Sequence, residues 1–390
     1  FYTDNLPTHA YASMVYKYPQ APFPYTDLVD ANRSRGPEQP EYELFDALEG
    51  DWRANRYFDV VVEYAKASPE DVLCRITVTN RGPDAAPIHV LPHLWYRNTW
   101  SWEEGASAPR ITRERDGVAR TTHPALGDRW LYVSASGGSE PDLLFCENET
   151  NARRLFSSTN ASDHAKDGIG DFVVDGDASA VDRTAGSKAA AHVQAVHGPG
   201  ESLVVTVRFA PADLRLPFDD ADAVLAARKE EADEFYAALA RPDLDDDQRL
   251  VQRQALAGLL WCKQYYHYEV RRWLQGDPTQ PTPPASRWKG RNSDWQHLVS
   301  DDIILMPDAW EYPWYAAWDL AFHCVTMAMV DPDFAKDQVL LLLSSVYQHP
   351  HGQIPAYEWS FGDTNPPLHA WAAWQVYQLD RRVTGTGDFA

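Results

Sequence analysis

The stretch "ESLVVTVRFAPADLRLPFDDADAVLAARKEEADEFYAALA", residues 201 to 240, decides the fold, because two hydrophobic periods meet inside it. Its first eleven residues are a short apolar run rich in β-branched side chains, which predicts a strand. From Phe218 onwards apolar residues recur at helical spacing behind an acidic start, which predicts a helix. Upstream, "YFDVVVEYAKA" (57–67), "DVLCRITVTNRG" (71–82), "APIHVLPHLWYRNTW" (86–100), "RWLYVSAS" (129–136) and "DLLFCENE" (142–149) have strand composition punctuated by Gly, Pro, Asp and Asn. Their number and spacing predict an antiparallel β-sandwich ending near residue 211.

Downstream, the helical period predicts helix from 218 to 275. A proline-rich insertion at 277–290, too stiff and too polar for either element, interrupts it. Three further helices are expected at "AAWDLAFHCVTMAMV" (316–330), "DFAKDQVLLLLSSVYQH" (333–349) and "PPLHAWAAWQVYQLDRRV" (366–383). They are apolar around most of their circumference and should be buried on several sides. Strands followed by helices imply two domains, a β-sandwich over 1–215 and a helical domain over 216–390.

A net charge of −22, from 35 basic and 57 acidic side chains, leaves no broad basic face for a nucleic acid or an anionic membrane. No apolar run is long enough to span a bilayer, and the first twenty residues show no signal-peptide pattern. Cys74, Cys146, Cys262 and Cys324 are widely spaced, which fits reduced thiols and a cytoplasmic setting better than a disulfide framework or a zinc site. Asn32, Asn148 and Asn160 head glycosylation triplets that matter only in a secreted chain. No P-loop, dinucleotide, serine-hydrolase or zinc-protease motif occurs.

The candidate chemistry lies in "YPWYAAWDLAFH" (312–323), where Asp319 opens a helix among Trp314, Tyr315, Trp318 and Phe322. Such rings can desolvate a carboxylate and keep it protonated as a general acid, against the pull of the helix dipole. Alternatively Asp319 only satisfies free N–H groups at the helix start. A second segment, "HGQIPAYEWSFGDTNPPLHAWA" (351–372), sets Tyr357, Glu358, Trp359, Asp363, Asn365, His369 and Trp371 in a Gly- and Pro-marked loop. Rings beside carboxylates and amides suit a sugar, though a plain helix-to-helix connection needs polar residues too. A third, "RNSDWQHLVSDDIILMPDAWEYPW" (291–314), reads as a long loop whose Asn292, Asp294, Asp308 and Glu311 face either the same cleft or solvent.

Together with "KYPQAPFPY" (17–25), "RYFDVVVEYAKA" (56–67) and "RITVTNRGPDAAPIHVLPHLWYRNTW" (75–100), the segments "MPDAWEYPWYAAWDLAFH" (306–323) and "HGQIPAYEWSFGDTNPPLHAWA" resemble bacterial members of glycoside hydrolase family 63, the mannosyl-oligosaccharide glucosidases and their relatives. The helical part is also similar to mannosylglycerate hydrolases. Trehalases share the "W-D" and "G-x-I-P" pattern, but the arginine they carry shortly before the acid is replaced here by "PDAWEYPW". The resemblance implies an N-terminal β-sandwich and a C-terminal (α/α)6 barrel of the six-hairpin glycosidase type, incomplete in this chain.

It further implies hydrolysis of α-linked glucose from an oligosaccharide by inversion. Asp319 would be the general acid, and Trp314, Tyr315, Trp318, Glu358, Trp359, Asp363 and Asn365 would hold the sugar. Inversion needs a second carboxylate. The family takes it from a glutamate late in the barrel, expected beyond Ala390. No metal is expected in the chemistry; a structural calcium is left open, though the sequence specifies none. Alternatives are a mannosylglycerate or glucosylglycerate hydrolase, for which residues 291–374 offer only Arg291 and Lys336 as cations, and a non-catalytic glycan-binding protein.

Overall fold

The computed structural model describes every residue except 139, 279, 291, 307, 309–311, 358–360, 363, 364 and 388–390. It divides into two compact units. Phe1, Ala10–Asn98 and Ala108–Lys229 form the first; Tyr2–His9, Thr99–Ser107 and Glu230–Ala390 form the second. An antiparallel sheet region thus precedes a helical one.

In the first unit a large sheet runs in the spatial order Tyr11–Pro19, Tyr57–Ser68, Asp71–Asn80, Ser202–Ala210, Gly127–Ala135, Val118–His123, Arg110–Arg115, Ala185–Gly186. A second sheet sets Lys188–His197 between Asp142–Cys146 and Ala86–Val90, and His93–Trp95 also pairs with Lys188–His197. The core fills the space between them, with Phe58, Val78, Ile111, Leu131, Leu203 and Val205 of one sheet meeting Ile88, Leu143, Phe145, Ala189, Ala191 and Val193 of the other. Each fully buried Leu or Phe contributes about 1.5–3 kcal/mol. The far side of the second sheet is also covered, where Leu144, Cys146 and Ala190 pack with Ile169 of the helix Gly168–Asp175.

The second sheet can be buried on both faces because its central strand is built of alanines. Leu143 pairs with Ala191, Leu144 with Ala190 and Phe145 with Ala189, so a large side chain opposes a small one at each step. At the adjoining Gly186 a Cβ would come within 2.4 Å of the Cys146 carbonyl oxygen, so only glycine allows this approach.

Arg208 ties the sheet to the chain leaving it. Its guanidinium is nearly buried and forks onto Asp71 at 2.8 and 2.7 Å, while Nη1 reaches the Pro217 carbonyl at 2.9 Å and Asp220 at 2.5 Å. Its hydrogen bonds to the Asp71 and Asp220 carboxylates push its pKa above the ordinary arginine range.

In the second unit the helix Asp246–Trp261 starts at a capping box of Asp245 and Gln248. Arg253 on this helix pairs with the buried Asp4 and with Asp233, and Trp261 Nε1 donates to the Asp4 carbonyl at 2.9 Å. The expected helix then fails. "KQYYHYE" is the strand Lys263–Glu269, paired antiparallel with Val299–Leu305, a stretch read above as loop. Alternating aromatic residues favour a pleated strand once a partner strand exists, and helical spacing at 256, 257 and 260 had masked the change.

Three further helices follow, Ala317–Met327, Pro332–Leu342 and Leu368–Thr384, packed against one another. Among the described residues they close no barrel. Nor are they buried on several sides as their composition suggested, for Trp318, Phe322, Leu340, Trp371 and Trp374 stay exposed. No helix of the described residues is long and apolar enough to cross a membrane.

Arg208→Ala should lower stability by about 3 kcal/mol, the scale for stranding one partner of a buried ion pair, here Asp71. Arg208→Lys should recover only part of it, since an ammonium cannot make the bidentate fork. Urea midpoints of the two variants check both statements.

Candidate active site

Asp319 lies in the first turn of the helix Ala317–Met327 and is half-buried. Ala316, at the N-cap, has no side-chain acceptor to close the helix. The backbone closes it instead. Ala317 donates its N–H to the Ala356 carbonyl at 2.8 Å, and Ala316 forms an antiparallel bridge with Tyr357. This bond joins the "AAWD" segment to the "GQIPAY" segment, two stretches forty residues apart in sequence.

The loop is also held from its far end. Asn365 donates from Nδ2 to the Ile354 carbonyl at 2.6 Å, and His349 exchanges backbone bonds with Gln353 and Gly352 at 2.8 and 2.7 Å. Asn365 Oδ1 is buried without a hydrogen-bond partner among the described residues. Glu358, Trp359 and Asp363 lie outside the described residues, as does Glu311.

The aromatic residues divide by role. Tyr315 is fully buried, its ring 5.1 Å from that of Tyr347, whose hydroxyl donates to Asp302 at 3.0 Å. It therefore supports the floor of the region. Trp314 is half-buried with its ring edge-on to Tyr312 at 5.2 Å. Trp318 and Phe322 lie on the exposed face of the Asp319 helix, 6.3 Å apart, and Phe322 meets Trp371 of the next helix edge-on at 5.6 Å. These three rings form an open surface that includes the exposed face of the helix carrying Asp319.

One neighbour escaped the sequence reading. His323 lies one turn on from Asp319, and its Nδ1 is buried without a hydrogen-bond partner among the described residues. Burial pushes its pKa down, and the Asp319 charge pushes it back up. The four-residue spacing was its sequence signal. A second histidine on the packed helix, His369, also has a buried, unbonded Nε2 and a pKa lowered by burial.

Polar side chains also tie the elements of this unit together. The buried Gln338 takes the Leu305 N–H at 3.3 Å and donates to the Ile303 carbonyl at 2.9 Å, fastening the helix Pro332–Leu342 to the strand Val299–Leu305. Lys263 bonds Asp331 at 2.7 Å, and Asp331 caps that same helix at the Phe334 N–H. Asn292 is buried at φ 59°, with Nδ2 on the Tyr268 hydroxyl at 3.1 Å and Oδ1 unbonded among the described residues. Asp294 is exposed. No group of three or more His, Cys, Asp or Glu among the described residues is arranged to hold a metal ion.

Known proteins bear on this geometry. A Saccharomyces cerevisiae protein described as the uncharacterized protein YMR196W is 39% identical over 433 residues, covering 100% of this chain and 40% of the relative. The chain therefore spans about two fifths of that relative's length. The relative is fungal, so the bacterial comparison rests on motif resemblance alone. Among solved structures, a family GH92 inverting mannosidase from Bacteroides thetaiotaomicron aligns with 96% of this chain and 45% of its own at 8% identity and a TM-score of 0.29. A putative kojibiose phosphorylase from the human microbiome aligns with 73% of this chain and 34% of its own at 10% identity and a TM-score of 0.23. Likenesses this slight carry no weight. A local match also occurs: residues 312–389, which contain both bridged segments, match the model of the mannosylglycerate hydrolase MGH1-like glycoside hydrolase domain. That match supports a glycosidase-type family and a hydrolase in general.

Proposed function

We propose that this chain is part of an inverting glycosidase that removes α-linked glucose from an oligosaccharide, of the family 63 type, with Asp319 as general acid. One observation carries the reading. The Ala317–Ala356 hydrogen bond fastens the aromatic, polar loop to the first turn of the Asp319 helix, and both segments fall within the glycoside hydrolase match. Asp319 would donate its proton to the glycosidic oxygen as the C–O bond breaks. A general-base glutamate beyond Ala390, in an (α/α)6 barrel that the helices here begin, would take a proton from water on the opposite ring face. The carboxyl separation for that geometry is roughly 6.5–9.5 Å. Trp318 would present a ring face to the sugar, Asn365 Oδ1 would accept a hydroxyl, and Trp314, Glu358, Trp359 and Asp363 would complete the first subsite, with Tyr315 behind.

The setting we propose is cytoplasmic. None of the four cysteines is in a disulfide. The amide nitrogens of Asn32, Asn148 and Asn160 are spent on internal bonds to the Tyr42 carbonyl, the Tyr96 carbonyl and Asn151 Oδ1, an arrangement that disfavours glycan attachment.

A second reading, hydrolysis of mannosylglycerate or glucosylglycerate, is favoured by the description of the matched domain. It requires a cation for the glycerate carboxylate. Lys336 is engaged by Asp333 at 3.0 Å and Asp380 at 3.8 Å, and Arg291 lies outside the described residues. The glucoside reading stands first because the motif resemblance to family 63 runs through both the strand-rich and the helical segments.

In the full-length protein, Asp319→Asn should lower kcat by about 10²- to 10⁴-fold, the usual range for a general acid, with an unchanged melting temperature. Early proton NMR on a panel of α-linked glucose disaccharides and mannosylglycerate should show β-glucose first. Initial α-glucose would overturn inversion, turnover of mannosylglycerate alone would select the second reading, and binding without turnover would leave a glycan-binding protein.

Asn365→Ala should raise KM more than it lowers kcat, because it removes a ground-state acceptor and loosens the loop at Ile354. Steady-state kinetics on the best disaccharide checks this split.

A further inference from the structure

The strand Tyr11–Pro19 and the loop after it carry a row of four rings at the surface of the sheet unit. Tyr16 and Tyr18 have centroids 6.0 Å apart, Tyr18 is 6.0 Å from Phe23, and Phe23 stacks on Tyr25 at 5.8 Å. The strand pairs Tyr16 with Val60 and Tyr18 with Phe58, so both tyrosines point to the face on which Phe58 is buried. Yet Tyr16, Tyr18 and Tyr25 remain 48%, 39% and 71% exposed. Burial and the Tyr18 and Tyr25 phenols hold the Tyr16 hydroxyl above the ordinary phenol range.

The row is held stiff. Pro19, Pro22 and Pro24 restrict the loop. Gln20 anchors it by its N–H to the Arg56 carbonyl at 2.9 Å and by Nε2 to Asn80 Oδ1 at 2.6 Å. Charges beside the row are paired with each other: Asp59 binds Lys17 at 2.5 Å and Arg81 at 2.6 Å. Rings fixed in place at the surface lose little freedom on binding, and contiguous exposed rings mark contact sites.

A purely apolar partner would strand the phenol hydroxyls, and a charged one would have to break the Asp59 pairs. A pyranose chain has apolar faces edged with hydroxyls and fits both features of the row. We infer that Tyr16, Tyr18, Phe23 and Tyr25 form a carbohydrate-binding platform for a neutral oligosaccharide. The glycan class rests on the glycosidase reading above.

The test is made in the full-length protein carrying Asp319→Asn, so that binding is separated from turnover. Calorimetric titration with maltohexaose, and in parallel with an α-linked mannohexaose, compares this background with added Tyr18→Ala or Tyr25→Ala. Tyr25 opens a helix that buries no residue, so its removal spares the fold. Affinity for one of the two probes should fall roughly tenfold, the scale of one lost aromatic contact, and the Tyr→Phe variants should keep most of it. Unchanged affinity in folded Ala variants, or no binding of either probe, would overturn the platform. So would resistance of Tyr16, Tyr18 and Tyr25 to nitration in the free protein, which would mean that another segment covers the row. Binding that depends on the row in a protein that hydrolyses no glycoside would sink the proposed activity and leave the platform standing.

Discussion

The sheet unit depends on one steric constraint: a strand buried on both faces must carry side chains small enough for two layers to close on it. Ala189, Ala190 and Ala191 meet that condition, each fully buried and each opposed by Phe145, Leu144 or Leu143. Alternate positions then face alternate layers, one toward the large sheet and one toward the helix Gly168–Asp175. A larger residue at any of the three would force apart layers whose packing supplies the burial that stabilises the unit. Gly186 extends the same logic to the backbone, where even a methyl group would collide with the Cys146 carbonyl.

The helical unit is organised by a different kind of contact. A helix start leaves free N–H groups, and an aspartate in the first turn is the obvious side chain to absorb one. Here the first of them goes to the Ala356 carbonyl of a remote loop. The backbone bond both closes the helix and sets the polar loop against it, so a structural need and the assembly of the candidate site are met by one interaction. His323 joins Asp319 on the same helix flank, and the rings of Trp318, Phe322 and Trp371 form the adjoining surface.

Composition and pattern carried the reading a long way in some places. The change from strand to helical period after residue 211 is visible because β-branched runs and acidic helix starts are local properties. Asp319 stood out because a single carboxylate among rings is conspicuous in sequence. The strand Lys263–Glu269 was not legible, since "KQYYHYE" suits either state until Val299–Leu305 lies beside it to take its hydrogen bonds. Nor was the split among the aromatics: Tyr315 and Trp318 are three residues apart, yet one is fully buried and the other exposed.

The sequence by itself determined the order of the two structural classes, the positions of the helices around Asp319 and Trp371, and the chemical character of the candidate site. These follow from local propensity and spacing, which act within a few residues along the chain. Tertiary structure alone decided which backbone groups close the Asp319 helix, which tyrosines are buried, and where rings stay at the surface beside paired charges. Those outcomes depend on contacts between segments tens of residues apart, whose energies arise only when the chain has brought them together.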